Sequence, residues 1–354
     1  MRRVVLAAGV AAIAALAAGC GSSASSGSGS STDSSNSSSS HVTLRLGLLA
    51  NITHAPALVG LNKGFFTKNL GDGVTLKTSV FSSGTEETTA LLAGQLDAAY
   101  VGPNPAINAW QKSSGKAIKI ISGAASGGAS LVVKPSISSA SQLKGQKVAT
   151  PSLGNTQDVA LRYWLKQHGL TTTQTGGGDV PVTPIKPNSA AVLQFKSGQI
   201  AGGWEPAPYD SEMVADGGKV LVNEASLWPG GSFVTTNLVV AQSFLKAHPS
   251  TVNGLLKGQI QANSYINANG TAAASVANAE LTKLLGKGLK PSVLAAALPY
   301  IHFTDNPIAS SLAADAQHAV AVGLLTPVKN LSGIYDLGPL NALLKADGQP
   351  QVSS

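Results

Sequence analysis

The sequence predicts an α/β protein of two lobes, each a mostly parallel sheet with helices on both faces. Two rounds of alternating strand and helix patterns predict the two sheets, because such alternation is typical of parallel strands joined by helices. The body of the chain, residues 41–354, is too long for one small core and suits two lobes of ordinary domain size. Helical apolar spacing then dominates the C-terminal part.

The first round of patterns begins at Val42. Apolar and β-branched runs predict strands, and the segments between them carry helical spacing or turn residues. Thr85 is the expected N-cap of one helix, since Glu86 and Glu87 would then lie in its first turn. The predicted elements are strands Val42–Leu48, Val74–Phe81, Asp97–Val101 and Ala117–Ser122, helix Ala57–Lys63, and a helix from Thr85 to Gly94.

A second round repeats this rhythm, and the chain then returns to the first lobe. The patterns predict strands Ser130–Val133, Gln146–Thr150, Val182–Ile185 and Ile200–Trp204, helices from Gly154 and over Ser189–Ser197, and a return strand Thr236–Val240. Further helices are predicted over Ser243–His248, Val252–Asn267, Ala272–Leu285, Pro291–Leu298 and Ile308–Val322. We therefore expect one lobe from 41–131 plus 225–354 and the other from 132–224.

The N-terminus has the features of an export signal. Arg2 and Arg3 precede the apolar run Val4–Ala18, which is shorter than the ~20 residues that a spanning helix needs. The run ends in Leu-Ala-Ala-Gly-Cys20, which resembles a bacterial lipobox, and Cys20 is the only cysteine in the sequence. We expect residues 1–19 to be a signal peptide, Cys20 to carry lipid, and residues 20–40 to be a disordered Ser/Gly linker. The alternative is an ordinary signal peptide that ends near a cysteine.

Charge and motif content argue against several classes of function. The formal net charge is +7, but the charges are scattered singly, so nucleic-acid binding has little support. No metal-binding spacing of the His-Glu-x-x-His type, no nucleophile elbow with triad partners and no phosphate loop stands out. We therefore expect no metal, no cofactor and no catalytic residues.

Four phrases of the body carry a resemblance to a known family. They are Gly94–Gly102, Leu143–Ala149, Ser197–Pro206, and Gly323–Leu325 through Ile334–Asp336. They resemble the nitrate/sulfonate/taurine-type substrate-binding proteins of ABC importers, a family that also includes binders of the thiamine pyrimidine precursor. The resemblance covers nearly the whole body in order. It implies the type II periplasmic binding protein fold, with crossovers expected near Ser126–Leu131 and Glu224–Val234.

The same resemblance implies a function. The chain would be a lipid-anchored monomer on the extracytoplasmic face of the cell membrane. It would capture a small anionic molecule such as a sulfonate, nitrate or taurine by hinge closure and deliver it to an ABC permease with its ATPase subunit. Two alternatives stay open: an enzyme on the same fold that acts on a small heterocycle such as a pyrimidine precursor, or a surface sensor without a transporter.

Five loops at strand ends should converge on one cleft, because ligands bind α/β sheets at the carboxyl ends of the strands. Gly154 opens a helix, where N–H groups and the dipole favour an anion, although simple N-capping is the alternative. His54 could donate to a ligand or be an exposed loop residue, and Trp204 could wall the pocket or pack in its lobe. Glu205 would suit an amine or a ring nitrogen, and Arg162 is expected on the surface. The candidate ligand-binding residues are Asn51, Thr53, His54, Ser83, Gly84, Gly102, Asn104, Gly154, Asn155, Thr156, Trp204 and Glu205.

Overall fold

Two β-sheets flanked by helices make up the body of the protein, in a computed structural model that describes residues 41–328 and 330–354. The predicted signal peptide, Cys20 and the linker lie outside the described residues. The predicted α/β class is confirmed. No helix in residues 41–328 and 330–354 is long and apolar enough to cross a membrane.

The strands occupy the positions that the apolar runs predict, with two additions, β9 and β11. The described residues form β1 (Val42–Leu49), β2 (Val74–Phe81), β3 (Ala98–Val101), β4 (Ile118–Gly127), β5 (Ala129–Val133), β6 (Val148–Thr150), β7 (Val182–Pro184), β8 (Gly202–Pro206), β9 (Lys219–Asn223), β10 (Val234–Ala241) and β11 (Ile301–Phe303).

The helices include four that the sequence analysis did not predict, α2, α4, α7 and α12. The described helices are α1 (Ala55–Asn62), α2 (Phe65–Leu70), α3 (Gly84–Leu92), α4 (Pro103–Lys112), α5 (Thr156–Gln167), α6 (Asn188–Lys196), α7 (Tyr209–Ala215), α8 (Gln242–Ala247), α9 (Pro249–Leu285), α10 (Pro291–Ala297), α11 (Ala309–Ala321) and α12 (Gly338–Ala346). The two helices expected on either side of Asn269 form the single element α9, which is broken at Gly270. Ser83, rather than Thr85, is the N-cap of α3.

The sheets are mixed, which differs from the expected mostly parallel arrangement. The first sheet has the order β11-β4-β10-β3-β1-β2, and the second has the order β7-β6-β8-β5-β9. In the first sheet β1 is parallel to β2 and β3, but β10 is antiparallel to β3 and β4. In the second sheet β5 is antiparallel to β8 and β9. The chain enters both β5 and β10 from the other sheet. Parallel neighbours in one sheet need a crossover connection, usually a helix, and neither of these strands is preceded by one.

Each sheet buries apolar side chains on both faces. One face of the first sheet packs against α1, α9 and α12, and the other packs against α3, α4 and α11. The second sheet packs against α5 on one face and against α6 and α7 on the other. Burial on both faces explains why the strands read as nearly continuous apolar runs.

The chain crosses between the sheets twice, after Gly127 and again between Asn223 and Val234. Gly127 and Gly128 both have positive φ, and a Cβ atom on Gly127 would lie 2.4 Å from the carbonyl oxygen of Tyr300. The first crossing therefore requires glycine. The crossings fall where the resemblance predicts them, and they set the loops of one sheet opposite those of the other.

Candidate functional site

A cavity of about 30 Å³ lies between the loops of the two sheets. That volume holds roughly two water molecules, or a ligand of few atoms. Residues of both sheets and their helices line it, including the loop after β1, the starts of α3, α4 and α5, the end of β8 and the start of β10. Seven of the predicted site residues line this cavity: Asn51, Thr53, His54, Gly84, Gly102, Asn155 and Thr156.

Three of the other predicted residues support the loops without lining the cavity. Ser83 caps α3 by accepting a hydrogen bond from the backbone N–H of Glu86 at 3.3 Å. Asn104 is buried and donates from Nδ2 to the carbonyl oxygen of Asp315 at 3.2 Å. The backbone N–H of Gly154 donates to Oδ2 of Asp158 at 2.9 Å.

Trp204 and Glu205, two of the predicted ligand-binding residues, also lie outside the lining. Trp204 does not form an aromatic wall of the pocket. The indole of Trp204 is fully buried in the core of the second sheet, and its Nε1–H donates to Glu224 at 2.7 Å. The next residue, Glu205, is fully buried without a hydrogen-bond partner in the described part of the chain. Strand alternation sends these two side chains to opposite faces of the sheet, and neither of them lines the cavity.

Six further lining residues were not among the predicted ones. Gln157 and Pro206 directly follow the predicted site residues Thr156 and Glu205. Thr235 and Thr236 were missed because the sequence analysis treated β10 only as a return strand. The signal available was a run of three polar residues, Thr235–Asn237, near the start of an otherwise apolar strand directly after the second crossing. The additional lining residues are Leu49, Pro105, Gln157, Pro206, Thr235 and Thr236.

Three helices begin at the cavity, and each directs its positive end toward it. Gly84 is the first residue of α3, Gly102 is the N-cap of α4, and Thr156 is the first residue of α5. The first N–H groups of a helix have no intrahelical acceptor, and together with the helix dipole they attract an anion. Of the three helices, α4 contributes chiefly its dipole, because Pro103 and Pro105 in its first turn have no N–H. None of the lining residues is Asp, Glu, Lys or Arg. The site can therefore stabilise negative charge with backbone groups rather than with a basic side chain.

The start of α5 is held rigid by a buried ion pair. Asp158 accepts from Arg162 Nε at 3.0 Å and from the hydroxyl of Thr150 at 2.9 Å, and all three side chains are buried. Arg162, expected on the surface, is only 1% exposed. Its charge offsets that of Asp158, so the carboxylate does not cancel the positive end of α5.

His54 is a neutral donor with a fixed tautomer. It is buried, and its Nδ1 accepts a hydrogen bond from the backbone N–H of Leu49 at 3.2 Å. The remaining ring proton of the neutral imidazole must then lie on Nε2. Burial lowers the pKa of His54 to about 3, so the ring stays uncharged at physiological pH.

Contacts across the cleft hold the two sets of loops together. Ile52 N–H donates to the carbonyl oxygen of Ala207 at 3.2 Å, and the hydroxyl of Tyr209 donates to the carbonyl oxygen of Ala50 at 2.9 Å. Lys186 of the second sheet forms a partly exposed ion pair with Glu86 of α3. A Cβ atom on Gly102 would lie 2.5 Å from Thr156 Oγ1, which shows how closely the two sides approach.

Comparisons with known proteins agree with this architecture. A model of the NMT1-like family matches residues 37–280. The taurine-binding periplasmic protein of Escherichia coli is 27% identical over 214 residues, which cover 60% of this chain and 64% of that protein.

Two solved structures share the fold at low sequence identity. The periplasmic nitrate-binding protein NrtA from Synechocystis is 15% identical with a TM-score of 0.73, covering 86% of this chain and 89% of that one. The alkanesulfonate-binding protein SsuA from Xanthomonas axonopodis, bound to MOPS, is 17% identical with a TM-score of 0.69, covering 84% and 99%.

Two buried carboxyl groups lie at the second crossing. Glu224 follows β9 and accepts from Trp204, while Asp315 lies on α11, and each has an oxygen without a partner in the described part of the chain. Burial raises the pKa of Glu224 to about 7, against the opposing hydrogen bonds from Trp204 and Trp228. Burial and the neighbouring Glu224 raise the pKa of Asp315 well above its usual range.

The substitution Glu224→Gln should stabilise the protein at pH 8 and leave its stability at pH 4 nearly unchanged. A carboxyl with a raised pKa in the folded state loses stability as the pH rises from its unfolded value to its folded value. Gln keeps an oxygen for Trp204 and removes this cost, which for a pKa of about 7 is roughly 3 kcal/mol. Thermal unfolding at both pH values measures the effect, with the exposed Asp347→Asn as control. An equal gain at both pH values would contradict the raised pKa.

Proposed function

The chain belongs to the NMT1-like family, and from that premise we propose that it is an extracytoplasmic solute-binding protein of an ABC importer. It captures a small anion in the cavity between its two lobes by hinge closure. The observation that carries this proposal is the convergence of three helix N-termini on a cavity without basic side chains. The similarity to a taurine-binding, a nitrate-binding and an alkanesulfonate-binding protein supports a sulfonate-like or nitrate-like ligand.

Anion capture follows from the donors around the cavity. The neutral His54 directs a fixed N–H, and the helix starts at Gly84 and Thr156 add backbone N–H groups. Preorganised neutral donors bind an anion without the reorganisation that a flexible Lys would need. The cavity volume favours a compact headgroup such as nitrate or a small sulfonate over a long substituent.

We also propose boundaries for the two lobes, attachment to the membrane and docking on a transporter. We assign residues 41–131 plus 225–354 to one lobe and 132–224 to the other, an assignment that the two crossings support. We further propose that Cys20 carries a lipid that holds a monomer at the extracytoplasmic face of the cell membrane. The closed form would dock on a permease, and an ATPase subunit would supply the energy for import.

We propose a binding protein rather than an enzyme for a physical reason. A general base works best with a pKa near the operating pH, but the pKa of His54 is about 3. The hydroxyls of the four lining threonines therefore have no basic imidazole among the lining residues that would activate them at neutral pH. An enzyme acting on a pyrimidine-like heterocycle and a sensor without a transporter remain the alternative functions.

Purified protein should bind at least one of nitrate, methanesulfonate and taurine, and return it unchanged. Isothermal titration calorimetry measures binding, and analysis of the recovered ligand by mass spectrometry or ion chromatography tests for turnover. Chemical conversion of the ligand would support the enzyme alternative. Absence of binding for all three compounds would contradict the proposed ligand class.

The substitution Gly102→Ala should weaken binding at least tenfold, because the added methyl group would meet Thr156 Oγ1 at 2.5 Å and prevent closure. The double variant Gly102→Ala/Thr156→Ala should recover part of the affinity, since the next nearest atom of residue 156 is Cβ at 3.6 Å. The single variant Thr156→Ala measures the loss of the hydroxyl alone. Gly73→Ala is the matched control, because a Cβ atom there would meet nothing within 4 Å.

Small-angle scattering with and without saturating ligand measures whether each of these proteins becomes more compact on binding. Wild type and the double variant should become more compact, and Gly102→Ala should not. Full affinity and full compaction in Gly102→Ala would show that the close approach at Gly102 is not needed for closure.

A further inference from the structure

The return strand β10 brings to the cavity wall a residue whose hydroxyl group has no partner in the described part of the chain. Thr236 is fully buried and lines the cavity, and its Oγ1 has no hydrogen-bond partner in the described part of the chain. A buried hydroxyl without a partner destabilises the fold. Its position on the cavity wall means that a bound molecule could supply the missing partner.

The irregular pairing of β10 explains how two consecutive residues come to lie on the cavity wall. The register of β10 against β4 shifts between Val234 and Thr236 and again between Thr236 and Asn237. In a regular strand successive side chains point to opposite faces, whereas both Thr235 and Thr236 line the cavity here. Bulges turn side chains in this way and are common beside binding sites.

The neighbouring residues separate a structural role from a binding role. The hydroxyl of Thr235 donates to the carbonyl oxygen of Gly127 at 2.5 Å, so it joins β10 to the first crossing. Asn237 is also buried without a side-chain partner, but it does not line the cavity. Only Thr236 among these three residues combines a missing partner with a place on the cavity wall.

We propose that Thr236 is a specificity-determining residue whose hydroxyl donates a hydrogen bond to an acceptor atom of the bound ligand. This inference rests on the proposed function and adds to it a contact on the strand that leaves the second crossing. The ligand therefore presents an oxygen to β10. An analogue that places an alkyl group there would leave the hydroxyl unpaired and would bind more weakly.

The substitution Thr236→Val keeps the shape of the side chain and removes the hydroxyl. We expect this variant to be more stable than the wild type but to bind the ligand more weakly. Without added ligand the melting temperature should rise by about 2 °C, because an unpaired buried hydroxyl is lost. The affinity for whichever of nitrate, methanesulfonate and taurine binds the wild type should fall about tenfold or more. Thr236→Ser, which retains the hydroxyl, should keep most of the affinity.

Thr235→Val is the matched control on the same strand and the same cavity. It removes a hydroxyl that is already bonded to Gly127, so its melting temperature should fall. If Thr236→Val bound as tightly as the wild type, or lost stability as Thr235→Val does, this inference would be overturned while the proposed function stood. If the wild type itself bound none of the three compounds, the proposed function would fail, and this inference with it.

Discussion

A ligand in the cavity must be stabilised by hydrogen bonds and dipoles of uncharged groups, since none of the lining residues carries an ionised side chain. The starts of α3, α4 and α5 provide that environment, and each helix begins where the chain leaves a sheet. The positions of these helix starts in turn depend on the cores behind them, because apolar burial on both faces of each sheet fixes the angle of every flanking helix. The charge environment is therefore a property of the backbone.

Such a site works only when the two sides approach closely, because hydrogen bonds and dipoles act over short distances. This explains the absence of a side chain at Gly102, where a Cβ atom would contact Thr156 Oγ1. The hydrogen bonds from Ile52 to Ala207 and from Tyr209 to Ala50 also hold the two sides close together. In the proposed mechanism, closure and ligand contact are thus parts of a single geometry, in which a bound molecule adds to contacts that already exist between the loops of the two sheets.

Much of this geometry could be predicted from the sequence, and the remainder depends on pairings that it does not display. The strand and helix rhythm follows from local apolar periodicity, whereas the two crossings were expected only from the family resemblance. The helix α4 was not predicted, although Pro103 and Pro105 suit a helix start because proline is common in the first turn of a helix. The burial of Trp204 depends on the pairing of β8 with β5, in which Trp204 lies opposite Leu131, and Thr236 reaches the cavity through bulges that only the strand register reveals.

Two buried acids close in sequence to the cavity lining bear on the proposed capture of an anion. Glu87 follows the start of α3 by one turn, and Glu205 immediately precedes Pro206 of the lining. As ionised groups they would oppose the helix dipoles. Burial raises the pKa of Glu87, and burial with a contribution from Asp210 raises that of Glu205, so both favour the protonated form. Their desolvation reduces the stability of the fold, and the same desolvation keeps the wall free of the negative charge that would repel an anion.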